Sequence, residues 1–130
     1  MTIELRQTGP STSQAAIRNH RVTVDRPTDK GGTDAGPMGG ELFLTSIGGC
    51  FMSNLLAAIA ARNAAVSDAV ILVDATISGT PPIFTRIELV VSATCADSEL
   101  LSKIVDIADR GCIMMNTLRG KLDLSVRIAA

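Results

Sequence analysis

The stretch from Gly36 to Ala61 restricts this chain more than any other. A glycine-rich loop runs into Leu42 to Ala61, an apolar run broken only by Thr45, Ser46, Ser53, Asn54 and the pair Gly48-Gly49. A run of that length is either a membrane span or a helix enclosed by protein. The hydroxyls, the amide and the glycines, with no second candidate span in the chain, predict a buried central helix and not a membrane anchor. The spacing predicts helix from Glu41 to about Asn63, continuous or as a short helix followed by a longer one from about Gly48. Each glycine costs about 1 kcal/mol relative to alanine in a helix, so the pair implies a kink or a close backbone approach.

Cys50 follows that glycine pair directly. A free cysteine near the start of a helix feels the partial positive charge of unpaired amides, which favours thiolate over thiol. Free cysteines are also common as small buried hydrophobes. Position alone supports both readings equally.

The rest of the composition sets the frame. With 46% hydrophobic and 19% charged residues, the 130-residue chain reads as one globular domain spanning residues 1–130. Aromatic content is 2%, with three Phe and neither Trp nor Tyr, so the core must come from Ala, Val, Ile, Leu and Met. Small side chains bury little area each, at roughly 25 cal/mol per Å², and pairing with a second copy would add to what one copy buries. A homodimer is expected on that ground. A net charge of −1 without a basic run argues against nucleic acid. The N-terminus, Met1 to Arg6, lacks the pattern of a signal peptide, and three cysteines without export signals point to the reducing cytoplasm, where paired cysteines are more often catalytic than structural.

Alternation supplies the remaining elements. Thr2 to Thr8 reads as a first strand, and Ser13 to Asp25 as one long strand or two short ones joined near Asn19. Pro27 to Gly40, with five glycines and two prolines, is a loop. Ala69 to Ser78 puts Ile71, Val73, Ala75 and Ile77 on one face. After a turn at Gly79 to Pro82, Ile87, Leu89, Val91, Ala93 and Cys95 share a face, which makes Cys95 an inward packing residue. Asp97 is placed to cap a helix with the stripe Leu100, Leu101, Ile104, Ile107 and Ala108. Gly111 interrupts it, a short helix runs from Cys112 to Leu118, and a last strand turns Leu122, Leu124, Val126 and Ile128 inward. Strands joined by short turns imply an antiparallel sheet, hence α+β.

Few residues can carry chemistry. One histidine and three scattered cysteines form no metal-ligand pattern, and no nucleotide-binding loop or serine-hydrolase motif is present. No metal or bound cofactor is expected. His20 reads as a solvated strand residue more readily than as a general base.

A second segment, Arg110-Gly111-Cys112-Ile113-Met114-Met115-Asn116-Thr117-Leu118-Arg119-Gly120, again sets a cysteine at a glycine-marked helix boundary, 62 residues after Cys50. Together the two segments resemble the OsmC/Ohr family of osmotically inducible and organic-hydroperoxide-resistance thiol peroxidases. The first matches the family's Gly-Pro-x-x-x-Glu-Leu, apolar run and Gly-x-Cys; the second matches its Cys-x-x-x-Asn-x-Leu-x-Gly. Asp25-Arg26-Pro27, Gly31-Gly32 and Asp34-Ala35-Gly36-Pro37 resemble the loop of the OsmC-like branch. The likeness runs from about His20 onward.

That resemblance implies an intertwined homodimer around paired central helices, with active sites at the subunit interface. It implies that Cys50 is the peroxidatic and Cys112 the resolving cysteine, forming a sulfenate and then a disulfide that a dithiol, lipoyl-type reductant reopens. It also implies an arginine on the thiolate, held by a glutamate: Glu41, and Arg18 ahead of Arg21 and Arg26. Two family prolines are replaced, by Gly39 and Ile113. Phe43, Phe51, Met52, Met114 and Met115 would line a pocket for the tail of an organic hydroperoxide or, equally for the last two, the dimer core. The reading kept beside this one is a redox-sensing or small-ligand-binding dimer of the same fold without steady-state turnover.

Overall fold

In the computed structural model, which describes Met1–Ala130, the N-terminal alternation resolves into β1 (Glu4–Gln7), β2 (Ser13–Ile17) and β3 (His20–Val24). They form an antiparallel sheet in the order β1-β2-β3, with Ala15 opposite both Leu5 and Val22. The two-strand reading of Ser13 to Asp25 is the observed one, and the chain reverses at Arg18, whose φ is 54°. Asp25, immediately after β3, is 2% exposed and organises the loop that follows. Its carboxylate accepts from the backbone amides of Arg26 (2.7 Å), Thr33 (3.1 Å) and Ala35 (3.1 Å) and from the Thr33 hydroxyl (2.6 Å). The Thr33 hydroxyl foremost, with those amides, holds the carboxyl well below the usual carboxylate range against the opposing effect of burial. The loop lies so close to its own base that a Cβ on Gly32 would overlap the Arg26 carbonyl, and one on Gly36 the Thr23 carbonyl. Met1–Phe43 is one compact unit and Leu44–Ala130 a second.

Helix α1 (Gly39–Arg62) starts two residues ahead of the expected Glu41. Met38 supplies the cap: its carbonyl accepts from Leu42 (3.0 Å), and its amide donates to the Glu41 carboxylate (2.9 Å), one half of a capping box. The helix is continuous through Gly48-Gly49, and the reason is approach rather than kinking. A Cβ on Gly48 would stand 2.8 Å from Val73 Cγ2, whereas Gly49 faces open space. By length and composition alone α1 could cross a bilayer, and 28% of its most apolar stretch is buried within the chain; the buried residues are Ile47, Phe51, Leu55 and Ala58.

In the second unit β4 (Ser67–Ser78), β5 (Ile83–Thr94) and β6 (Asp123–Ile128) form a sheet in that order. β4 and β5 are antiparallel, with Val73 opposite Leu89 and Ile71 opposite Val91. β6 runs parallel to β5, because α2 (Ser98–Gly111) and α3 (Ile113–Leu118) return the chain to the end at which β5 began. The antiparallel α+β architecture therefore contains one parallel pair. Ile87, Leu89 and Val91 are fully buried, as the alternation requires. Ile77 is 59% exposed, since a register shift between Thr76 and Ile77 takes it off that face. Cys95 also departs from its expected place: β5 ends at Thr94, and the thiol of the half-buried Cys95 donates to the Asp97 carbonyl (3.1 Å). Asp97 caps α2 by accepting from the Glu99 and Leu100 amides. The buried stripe of α2 is Leu101, Ile104, Val105 and Ala108.

Candidate functional site

Cys112 is the single residue between α2 and α3, closing one helix and opening the next in extended conformation (φ −80°, ψ 113°). The elbow is fastened from both sides. The Cys112 amide donates to Asp109 O (3.3 Å), and its carbonyl accepts from Asn116 (2.9 Å). Asn116 Nδ2 donates to Arg110 O (2.9 Å), and Arg119 bridges Asp109 Oδ1 (3.0 Å) and Asn116 Oδ1 (3.2 Å). Asn116 and Arg119 thus serve the elbow that presents the cysteine, which gives a physical reason for the sequence pattern around them.

The Cys112 side chain is wholly buried, and its thiol lies near enough to Cys50, half-buried on α1, for the two to interact. Burial first, then the neighbouring Cys50, pushes the Cys112 thiol above its ordinary range; the Met115 and Met114 amides at the start of α3 oppose this incompletely. Cys112 therefore keeps its proton. Thiolate is the attacking species, so Cys112 is unsuited to a first attack, and Cys50 is the member of the pair with access to solvent. The elbow meets α1 with no slack, since a Cβ on Gly111 would lie 3.0 Å from Asn54 Oδ1. Asn54, which sequence reasoning did not single out, donates from Nδ2 to the Cys50 carbonyl (2.9 Å) and faces the Cys50 sulfur at 3.9 Å. Its signal was available: a lone amide four residues after a cysteine lies on the same helix face.

Glu41 and Arg18 belong to the first unit, the two thiols to the second. Glu41 caps the first turn of α1 as described. Arg18 is exposed in the β2–β3 turn, where its carbonyl accepts from Arg21 Nη1 (3.3 Å), which also reaches the His20 carbonyl (2.9 Å). His20 is exposed at the start of β3. Arg26 and Lys30 line a hollow of about 480 Å³ in the first unit with Ser11, Ser13 and Gly39. Gly39 is the first residue of α1 and Ile113 the first of α3, the helical position where proline is best accommodated. The missing prolines remove preset backbone angles without disturbing a helical hydrogen bond.

The expected apolar lining divides. Phe51 and Met115 are fully buried core residues and cannot line an accessible pocket. Met52 does line one, a groove of about 430 Å³ with Leu44, Gly48, Gly49, Ile71 and Val73. Cys50 is two residues from both Gly48 and Met52, about 200° around the helix, so this groove and the thiol open on different faces of α1. No group of three or more His, Cys, Asp or Glu side chains is arranged to hold a metal ion.

The family profile described as OsmC-like protein matches residues 31–127. A search of curated protein sequences finds no match. Among solved structures, an OsmC-like protein from Mycoplasma pneumoniae is 20% identical with a TM-score of 0.84, over 98% of this chain and 94% of that one. An organic hydroperoxide resistance protein from Elizabethkingia anophelis is 19% identical with a TM-score of 0.76, over 99% and 96%. The organic hydroperoxide resistance protein OhrB of Bacillus subtilis is 18% identical with a TM-score of 0.71, over 99% and 98%. At these identities the likeness is one of fold.

Proposed function

The chain belongs to the OsmC-like protein family, and from that premise we propose that it is a cysteine-based peroxidase reducing organic hydroperoxides to alcohols. The observation that carries the reading is the proximity of Cys50 and Cys112, with Cys112 closed to solvent and its thiol pushed above its ordinary range by burial, and Cys50 half-buried. Cys50 thiolate attacks the terminal peroxide oxygen; the O–O bond breaks, and the alkoxide takes a proton and leaves as the alcohol. The Cys50 sulfenic acid then condenses with the Cys112 thiol, releasing water and forming a disulfide. An external dithiol, of lipoyl type by family resemblance, returns both thiols to the reduced state by exchange. Names of two structural neighbours, the organic hydroperoxide resistance proteins above, support the substrate class.

Further parts of the reading come from the family pattern. Arg18, held by Glu41, serves as the cation on the thiolate, so Arg18→Ala slows peroxide consumption more than Arg21→Ala or Arg26→Ala. The working form is a cytoplasmic homodimer. Leu56 (52% exposed) on α1 and Leu72 (63% exposed) on β4 are apolar surfaces that support the dimer.

The test is to add one equivalent of an alkyl hydroperoxide to reduced protein and count thiols and peroxide, with a dihydrolipoyl donor in a parallel sample. Loss of two thiols per chain for one peroxide, with continuing consumption when the donor is present, is the expected result. Oxidation of the pair without sustained consumption under any dithiol would instead assign the chain to redox sensing or ligand binding. Survival of all thiols would remove the catalytic reading.

A further inference from the structure

Asn54 is an unusual resident of α1. Asparagine is a weak helix former because its amide competes for backbone partners, and after Ser53 and Asn54 the helix continues with only Leu, Ala and Ile as far as Ala61. A half-buried carboxamide must find partners, and this one finds them on Cys50. Its two N–H donors have two acceptors on one residue, the Cys50 carbonyl at 2.9 Å and the Cys50 sulfur at 3.9 Å. Its oxygen faces Gly111, the residue before Cys112, where a Cβ would stand 3.0 Å away.

We propose that Asn54 is a positioning residue for the Cys50 sulfur, its amide N–H steadying the anionic sulfur while its oxygen, abutting Gly111, sets the spacing between α1 and the elbow that carries Cys112. The assignment rests on reading Cys50 as the reacting thiol. A neutral donor suits this place: it favours the charged sulfur by hydrogen bonding and adds no countercharge that would hinder the later attack by Cys112. Leucine or alanine would meet the packing needs of a half-buried helix position, and neither could donate to sulfur.

The experiment uses the reduced full chain and follows alkylation of Cys50 by iodoacetamide across pH, with the Cys50 peptide read by mass spectrometry. In Asn54→Ala the midpoint rises by about half a pH unit, which is roughly threefold less thiolate at a pH below it. In Asn54→Asp, which keeps the shape and replaces the donor with a negative charge, it rises by about one unit or more. Gly111→Ala retains Asn54 but presses on its oxygen, and moves the midpoint upward by less than Asn54→Ala does. Thermal melts verify that each variant is folded, and Gly111→Ala decides the matter should either Asn54 variant fail to fold. Midpoints that coincide with the wild type in the folded variants would overturn the proposal and leave Asn54 a packing residue. Alkylation involves no peroxide: shifted midpoints in a protein that does not consume hydroperoxide would defeat the peroxidase reading and leave the role of Asn54 standing.

Discussion

Replacing Gly48 by alanine sets two effects against each other whose sizes can be stated beforehand. The new methyl improves helix propensity by about 1 kcal/mol. It also arrives 2.8 Å from Val73 Cγ2, on a β-branched side chain with little freedom at χ1 whose strand is tied to the fully buried Leu89. Overpacking of this kind costs about 1–3 kcal/mol, so Gly48→Ala is expected to destabilise by about 1 kcal/mol net. Gly49→Ala gains the same propensity and meets no atom within 4 Å, so it should stabilise by up to about 1 kcal/mol. The two neighbouring substitutions should thus differ by about 2 kcal/mol, several degrees in melting temperature at roughly 3–5 °C per kcal/mol for a chain of this size. Urea denaturation of both variants, and of Gly48→Ala combined with Val73→Ala, isolates the contact. Removing the valine methyls should restore most of the loss, a coupling of about 1–2 kcal/mol. Equal stabilisation by the two alanines, or purely additive behaviour with Val73→Ala, would refute the argument that Gly48 exists to let α1 approach β4.

Three other outcomes are expected. Cys112→Ser should consume one equivalent of peroxide per chain without turning over, with intact mass showing Cys50 gaining one oxygen atom, and a second only when a further equivalent of peroxide is added and consumed; sustained turnover would exclude Cys112 as the resolving thiol. Asp25 has a folded-state pKa depressed below its unfolded value of about 4, so its contribution is present above pH of about 4 and is lost as pH falls further. Asp25→Asn should accordingly lower the urea midpoint at neutral pH, with the gap to wild type narrowing in acid; a gap constant with pH would mean that the charge is not what the loop uses. Ile113→Pro, at the first position of α3 with a side chain 70% exposed, should raise stability by about 0.4–1 kcal/mol through the unfolded chain, whereas a loss would show that the Ile113 amide is needed.

The parts of the fold legible in the sequence are those governed by local pattern. Ile87, Leu89 and Val91 announce a buried strand by alternation, and Asp97 announces a helix start by its side chain. The pairing of β6 with β5 in parallel was not legible, because alternation fixes which face a residue takes and says nothing of which strand lies beside it. Nor was the separation of six strands into two sheets. Ile77 and Cys95 were misplaced for one reason: both fall where a strand shifts register or ends, events set by hydrogen bonding to a partner. α1 began at Gly39 rather than Glu41 because the glutamate acts backwards, on Met38. For the site, the two cysteines stood out by the glycines before them; Gly48-Gly49 lies inside α1, so Cys50 is mid-helix and not beside the unpaired amides of a helix start, and its nearness to Cys112 depends on how the elbow packs against α1. Asn54 was visible as an oddity, but only its donor geometry connects it to sulfur.

The α2–α3 pair is a crossover between two parallel strands, and Cys112 stands at its bend. A disulfide from there to Cys50 would tie the crossover to the helix beneath it, closing a ring of 62 residues that contains all of β4, β5 and α2. By chain entropy a ring of that size opposes unfolding by about 4 kcal/mol. Linkage is reciprocal: whatever the closed ring adds to the fold, the fold adds to the ring, and at about 30 mV per 1.4 kcal/mol that makes the oxidised chain the harder one to reduce. Oxidised protein would be the sturdier form and the natural resting state between encounters with a reductant. Turnover would then be paced by reopening, and the sulfur an outside dithiol must reach is Cys50, since Cys112 is closed to solvent.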